Sequence, residues 1–281
     1  MTSDTTTDVS PARAAHKVLE AFHTMVYFVP EAADRYAAQG VSGGMRGYFA
    51  SRSAPLGHVP AEVVIATFFN FAPSQVRKAI PSVWEVTTPE AIIAARYEAA
   101  DAALTRLLGD ELTSPGIEEA AALAREATTA ADIVGRPLYA AHAAVAWPDA
   151  PHLQLWHAAT LLREHRGDGH IAALVLAGLS GVEAVASYVA TGKSMPEDLM
   201  RATRGYSEEE WVAAKQQLRD RGTLDADNNF TAAGLAERAR IEEHTDAAAA
   251  APYDHLGEAK TQRLIELVRP LSRSITKQIF G

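Results

Sequence analysis

Residues 207–234 read SEEEWVAAKQQLRDRGTLDADNNFTAAG, and this stretch decides the fold class. Ser207 before the three glutamates Glu208–Glu210 is typical of a helix N-cap. The segment 222–231 places an Asp/Asn turn between two short strand-like runs, which predicts a β-hairpin. Thr231 then caps a further helix. A helix, a hairpin and a second helix in this order indicate a winged helix.

The residues before this stretch complete the pattern in the C-terminal half. Residues 169–189 predict a helix that is interrupted at Gly178–Gly181, and residues 196–203 predict a short one. Elsewhere alanine dominates and β-branched runs are few, so we expect helices along most of the chain. The predicted fold class is therefore mainly α, with one short β-hairpin wing.

Short sequence matches recur in the same order at a nearly constant spacing, which predicts an internal duplication. The matches are Gly40–Gly43 with Gly178–Gly181, Val59–Val63 with Met195–Leu199, and Arg136–Leu138 with Arg269–Leu271. We expect a disordered lead-in at 1–11, a degenerate winged-helix-like repeat at 12–147 and a second winged-helix repeat at 148–281. The boundary lies at Trp147–Pro151, where two prolines stop a helix. Two tandem winged-helix repeats would form a single-chain pseudo-dimer.

Two resemblances support this prediction. Leu218–Leu224 followed by Phe230–Gly234 resembles the wing of MarR-family regulators, where L-x-x-R-G-L precedes L-T-x-x-G. The MarR-like resemblance covers residues 155–281 well and reaches the first half only through the internal repeat. The whole chain also resembles a family of actinobacterial helix-turn-helix proteins of about this length. The stretches that carry this second resemblance are Tyr27–Ala32, Trp156–Thr160 and Glu164–His170. Both imply a fold and leave the function open.

Composition and charge exclude several classes of protein. The chain has 281 residues, 48% of them hydrophobic, which is enough for a packed core. Its net charge of −9 repels nucleic-acid backbones unless a local basic patch exists. The absence of cysteine excludes disulfides, thiolate metal sites and a cysteine nucleophile. No signal-peptide pattern and no long apolar run is present, so we expect a soluble, cytoplasmic protein without a membrane partner.

The segments that would contact DNA carry the wrong charge. In the second repeat the recognition helix begins with Glu208–Glu210, and the wing tip Asp225–Asn229 lacks arginine and lysine. In the first repeat Arg77 and Lys78 are present, but Pro81 follows at once. We therefore expect the DNA-binding surface to be lost and DNA not to be a partner.

The two repeats differ most where Tyr27–Ala32 lies opposite His165–His170. One copy supplies aromatic rings and a carboxylate, and the other supplies imidazoles, a guanidinium and a carboxylate. We expect these segments to line one small-molecule pocket between the repeats. The predicted ligand-binding residues are Tyr27, Phe28, Glu31, Tyr48, Arg52, Arg163, Glu164, His165, Arg166 and His170.

Three alternatives stay open. The first is an enzyme that uses His157, His165, Asp168 or His170 as its acid–base groups, or that holds a divalent metal or haem through these histidines. The second is a ligand-responsive DNA-binding regulator. The third gives the cluster a structural role, with Gly167 and Gly169 at a helix end and Asp168 near the cap of the next helix. No cofactor is required by the sequence, and a monomer and a homodimer fit it equally.

Overall fold

The structure is a computed structural model that describes residues 10–281. Fifteen α-helices lie within this range. In chain order they are α1 (Pro11–Thr24), α2 (Pro30–Ala38), α3 (Gly44–Ser53), α4 (Ala61–Phe68), α5 (Pro73–Ala79), α6 (Pro89–Leu108), α7 (Pro115–Thr128), α8 (Pro137–Ala143), α9 (Pro151–Leu176), α10 (Gly181–Ala190), α11 (Glu197–Arg204), α12 (Glu208–Asp220), α13 (Ala232–Ala248), α14 (Ala251–Leu256) and α15 (Glu258–Phe280). The prediction of a mainly helical fold is confirmed.

The lead-in and the hairpin differ from their predictions in detail. Residues 1–9 of the predicted lead-in 1–11 lie outside the described residues, and Ser10 caps α1 by accepting the Arg13 N–H at 3.2 Å. The predicted hairpin 222–231 contains a tight turn but only one antiparallel bridge, between Leu224 and Phe230. Each arm of this turn is too short to form a ladder, so the turn contains no strand. No other strand is present in residues 10–281.

The helices of residues 10–281 pack around two hydrophobic cores. The larger core combines α1–α8 and the first half of α9 with α14 and α15, so it draws on both sides of Pro148. The smaller core lies between the end of α9 and α10–α13, and it buries Trp211 and Leu218 of α12. Helix α9 therefore contributes to both cores. The division of the chain at Pro148 into two repeats stays a prediction.

The expectation of a helix end at Gly167 and Gly169 is wrong, because α9 runs without a break from Pro151 to Leu176. A Cβ atom at Gly169 would lie 2.9 Å from the side chains of both Ala248 and Arg136. This glycine thus permits the close approach of α13 and of the loop before α8. Asp168 accepts the backbone N–H of Tyr139 at 2.9 Å, so it caps α8 and not the helix that follows it in sequence.

The turn between α11 and α12 packs on the turn between α4 and α5. The backbone N–H of Ala72 donates to the Arg204 carbonyl at 2.9 Å, and the Gln75 side chain donates to the Thr203 carbonyl at 3.1 Å. Gly205 lies in the left-handed region, with φ +78°, and a Cβ there would overlap Gln75. The turn that precedes α12 is consequently covered by the N-terminal half of the chain.

No single helix in residues 10–281 is long and apolar enough to cross a membrane. Helices α9 and α10 meet the length and composition criterion only as a pair, and the chain bends by 99° between them.

Candidate anion-binding cleft

A cleft of about 1050 Å³ lies between α1, the middle of α9 and the helices α10, α11 and α13. Seven cationic side chains line it, against two carboxylates. The cations are Arg13, Lys17, Arg163, Arg166, Lys193, Arg204 and Arg238, and the carboxylates are Glu20 and Glu242. The larger apolar side chains that line the cleft are Leu174, Val185, Tyr188, Met200, Phe230 and Leu235. The cleft thus combines an excess of positive charge with apolar side chains.

Helical periodicity explains why these residues meet. On α1, Arg13, Lys17 and Glu20 follow each other at steps of four and three, so they share one face. The same steps bring Arg163, Arg166 or Gly167, His170 and Leu174 of α9 to the cleft, and Leu235, Arg238, Glu242 and Thr245 of α13. Each of the three long walls is therefore one stripe of one helix.

Two acidic side chains of α13 hold part of the positive charge in place. Asp246 pairs with Arg13 and Arg166, each at 2.8 Å, and Glu242 pairs with Arg238 at 3.3 Å. Burial raises the pKa of Asp246, but the hydrogen bonds from Arg166 and Arg13 outweigh it and the pKa is lowered overall. These pairs join α1, α9 and α13 at one end of the cleft.

Other cations in the cleft have no such partner. Within residues 10–281, no carboxylate lies within 4.0 Å of a side-chain nitrogen of Lys17, Lys193 or Arg204. The Arg204 guanidinium lies over the Phe71 ring at 4.7 Å, and burial lowers its pKa. An anion that enters the cleft would compensate these charges.

Burial keeps the two histidines of the cleft neutral. Burial lowers the pKa of His16 to about 3, and the charges of Arg166 and Arg163 act in the same direction. Burial likewise lowers the pKa of His170 to about 4. Both imidazoles are therefore neutral at pH 7. His170 shares a hydrogen bond with the Thr245 hydroxyl at 2.9 Å.

A buried ion-pair network lies behind the cleft. Glu164, which is 1% exposed, receives two hydrogen bonds from Arg52 at 3.0 and 2.9 Å and one from Arg163 at 2.7 Å. Arg52 also donates to the Tyr48 hydroxyl at 3.0 Å, and the Tyr48 ring packs 5.0 Å from that of Tyr27. Burial alone would raise the pKa of Glu164, but Arg163 and Arg52 hold it well below its ordinary value. Five predicted site residues are thus contiguous in the structure.

The remaining predicted residues lie in several places. Arg166 and His170 line the cleft together with Arg163. His165 is buried against the Tyr139 ring, because adjacent residues of a helix point in different directions. Phe28 is exposed and packs on Phe280. Glu31 pairs with Arg106 at the surface. Phe28, Glu31 and His165 do not line the cleft. The segments Tyr27–Ala32 and His165–His170 therefore do not line one common pocket, as we had expected.

The candidate acid–base residues make separate contacts. His157 bonds to the Tyr97 hydroxyl at 2.5 Å and packs on Trp147, whereas His165 packs on Tyr139. Burial lowers the pKa of both imidazoles to about 4. No group of three or more histidine or carboxylate side chains in the described part of the chain could hold a metal ion. The enzyme alternative gains no support from these positions.

Sequence reasoning missed much of the positive wall. It did not select Arg13, Lys17, Arg204 or Arg238. The spacing of Arg13, Lys17 and Glu20 on α1 is a signal that could have indicated a charged helix face. That this face turns toward α9 and α13 depends on long-range packing.

The outward face of α12 is acidic, as the sequence indicates. Glu208, Glu209 and Asp220 are exposed, whereas Lys215 pairs with Glu197 at 2.9 Å and Arg219 bonds to Asn228. A capping box between Ser207 and Glu210 closes the start of the helix. The position of a recognition helix therefore offers few free cations to a phosphate backbone.

These features define a helical protein with a helix-turn-helix segment packed over a positively charged cleft. A family model described as a helix-turn-helix family matches residues 12–280, and the chain belongs to this family. No curated protein and no solved structure matches the chain. Membership suggests a DNA-binding-like fold and possible interaction with DNA. The match does not extend to the MarR-like resemblance or to an actinobacterial origin, which stay predictions.

Proposed function

We propose that this protein binds a small organic anion with an apolar body in the cleft between α1, α9 and α13. The observation that carries the proposal is the composition of the cleft, which combines apolar side chains with seven cations in a chain of net charge −9. Three of these cations, Lys17, Lys193 and Arg204, have no carboxylate within 4.0 Å in residues 10–281. Ligand pockets are commonly a few hundred to about 1,000 Å³ in volume, and mostly apolar with a few polar groups that fix orientation. A cleft of about 1050 Å³ suits a ligand of drug-like size.

We further propose that the scaffold consists of two winged-helix repeats that no longer bind DNA. Helices α3 and α10 have 10 residues each, and α4 and α11 have 8 each, in support of a duplication. The acidic face of α12 and the covered turn before it support the loss of DNA binding. In this proposal the N-terminal repeat takes the place of a second subunit.

The test compares two fluorescent probes that share an apolar body. Anilinonaphthalene sulfonate is an anion, and phenylnaphthylamine lacks the sulfonate. We expect the anion to bind, with an affinity that falls as salt rises, and the neutral probe to bind much more weakly. Arg204→Gln should weaken sulfonate binding about tenfold, because one charge-assisted contact is lost. Arg263→Gln, at an exposed surface pair with Glu119, is the matched control and should bind as the wild type does.

Equal binding of both probes, or equal binding by the Arg204 and Arg263 variants, would overturn the proposal. Arg204 has no carboxylate partner in residues 10–281, so its replacement leaves no acidic group unpaired. Circular dichroism is the check that both variants keep the helical fold.

The second candidate function is a ligand-responsive DNA-binding regulator, which the family membership favours. A gel shift with genomic fragments at low salt distinguishes such a regulator from an anion-binding protein that does not bind DNA. A shift that the ligand abolishes would establish a regulator, and a complete lack of binding would eliminate this candidate.

A further inference from the structure

The two carboxylates that line the cleft differ in their contacts. Three arginines surround Glu242 of α13 at 3.6, 3.5 and 3.3 Å, namely Arg13, Arg166 and Arg238. Glu20 of α1 accepts no side-chain hydrogen bond from residues 10–281, although its Oε2 atom is buried. Glu20 is therefore a hydrogen-bond acceptor without a donor in the wall of the cleft.

The groups nearest to Glu20 do not supply that donor. The Arg163 Nε lies 4.0 Å from the Glu20 Oε2, and Arg163 donates to Glu164 instead, at 2.7 Å. The His16 Nδ1 lies 3.7 Å from the same oxygen, and burial lowers the pKa of His16 to about 3, so this imidazole carries no charge at pH 7. A carboxylate oxygen in this position is costly to desolvate unless water or a ligand donates a hydrogen bond to it.

The Glu20 carboxylate can be reached from the cleft. Its side chain is 35% exposed, and it lies on the same face of α1 as Lys17, which has no carboxylate within 4.0 Å in residues 10–281. The charge of Arg163 acts on the pKa of Glu20 and also on that of Arg204, so both side chains lie in the field of Arg163. A ligand in the cleft thus meets an acceptor at Glu20 and a cation at Arg204.

A simple anion satisfies only one of these two groups. Its charge compensates Arg204, but Glu20 repels it, and its apolar body displaces water from the Glu20 carboxylate without replacing the lost hydrogen bonds. A ligand that also carries an N–H or O–H group donates to that carboxylate in a charge-assisted hydrogen bond. An uncharged donor suits the cleft better than an ammonium group does, because cations outnumber carboxylates among its lining residues.

We infer that the ligand of the cleft is an organic anion whose apolar body also carries an uncharged hydrogen-bond donor, that Glu20 accepts from this donor, and that Arg204 binds the anionic group. In this arrangement Arg204 contributes affinity for anions in general. Glu20 determines specificity, because it distinguishes ligands with a donor from those without one. The inference rests on the proposed function, since it concerns the same cleft.

Two sulfonates that differ at one linking atom test this inference by isothermal titration calorimetry. Anilinonaphthalene sulfonate carries an N–H between its rings, and phenoxynaphthalene sulfonate has an ether oxygen in the same place. Both are used as the 2,6 isomers, in which the linking atom cannot reach the sulfonate. We expect the wild type to bind the anilino compound about tenfold more tightly, because the ether leaves the Glu20 carboxylate without a donor.

Three variants assign this preference to Glu20. Glu20→Met removes the acceptor at similar side-chain length, and it should bind the two sulfonates with equal affinity, because the lost negative charge affects both alike. Arg204→Gln should weaken the binding of both sulfonates and keep the tenfold ratio between them. Glu62→Met is the matched control at an exposed pair with Arg77, and it should keep both the affinities and the ratio of the wild type.

The ratio of the two affinities separates this inference from the proposed function. Equal binding of the two sulfonates by the wild type, or an unchanged tenfold ratio in Glu20→Met, would overturn the inference and leave the proposed function standing. If the wild type binds neither sulfonate, the proposed function fails and the inference fails with it.

Discussion

Replacing Glu164 by glutamine should be among the most destabilising single substitutions in this protein. The change removes the only negative charge that Arg52 contacts in residues 10–281, at 3.0 and 2.9 Å, while Arg52 stays 6% exposed. Breaking a buried pair in this way typically costs about 3–5 kcal/mol. Since whole domains are stable by roughly 5–15 kcal/mol, this is a large part of the total. For a chain of this size the loss corresponds to a fall of roughly 6–20 °C in the melting temperature.

Urea unfolding, followed by circular dichroism and tryptophan fluorescence, measures how much Glu164→Gln lowers the free energy of unfolding. The matched control is Glu119→Gln, because Glu119 also makes two hydrogen bonds to one arginine, Arg263, at 2.8 and 2.7 Å. Those two side chains are 43% and 49% exposed, so we expect the control to unfold at nearly the same urea concentration as the wild type. A loss for Glu164→Gln no larger than that of the control would refute the argument that burial makes the difference.

The stabilisation that ionised Glu164 provides should decrease as the pH falls. Burial alone would raise the pKa of Glu164, but Arg163 and Arg52 hold it well below its ordinary value. The stabilisation is therefore fully present above the pKa of the unfolded chain, at about 4.3, and is lost as the pH falls through the lower pKa of the folded state. The wild type and the variant should converge in stability only under strongly acidic conditions.

Two further predictions concern buried imidazoles and close packing. Burial lowers the pKa of His142 to about 3, so between pH 6.5 and pH 3 this residue takes up a proton only in the unfolded chain. That proton uptake lowers the free energy of unfolding by about 2 kcal/mol at pH 5. His142→Gln should therefore flatten the dependence of the unfolding free energy on pH between 7 and 5. An unchanged slope would contradict this assignment. Gly181→Ala should destabilise by about 2 kcal/mol or more, because its Cβ would lie 2.1 Å from the Phe69 carbonyl oxygen. Gly116→Ala, whose nearest neighbour would lie at 3.5 Å, should be neutral or slightly stabilising in a thermal melt.

Local signals in the sequence predicted local structure well. Ser207 caps α12 and Thr231 caps α13 as expected, because an N-cap depends on side-chain oxygens a few residues from the N–H groups they accept. The break at Gly178–Gly181 also lies between α9 and α10. The same local rule failed at Gly167 and Gly169, where close approach by another helix, and not chain reversal, explains the glycine at 169.

The candidate site could be predicted only in part. Tyr48, Arg52, Glu164 and Arg163 do meet, but through an ion pair that joins residues 112 positions apart, and no local pattern encodes that pairing. His165 was grouped with Arg166 because they are adjacent in sequence, yet neighbours on a helix face different surroundings. The cations of α1 and α13 carried no distinctive motif, and only the tertiary structure gathers them into one wall.

The continuity of α9 has a mechanical consequence for ligand entry. This helix has 26 residues, so it extends for about 39 Å, and its two ends are embedded in different cores. A hinge motion of one core against the other would have to bend α9, because this continuous helix is packed into both cores. The cleft can widen only if α1 or the α10–α13 group slides or tilts along that helix. Admission of a ligand would thus be a shear between packed helices and not a hinge opening.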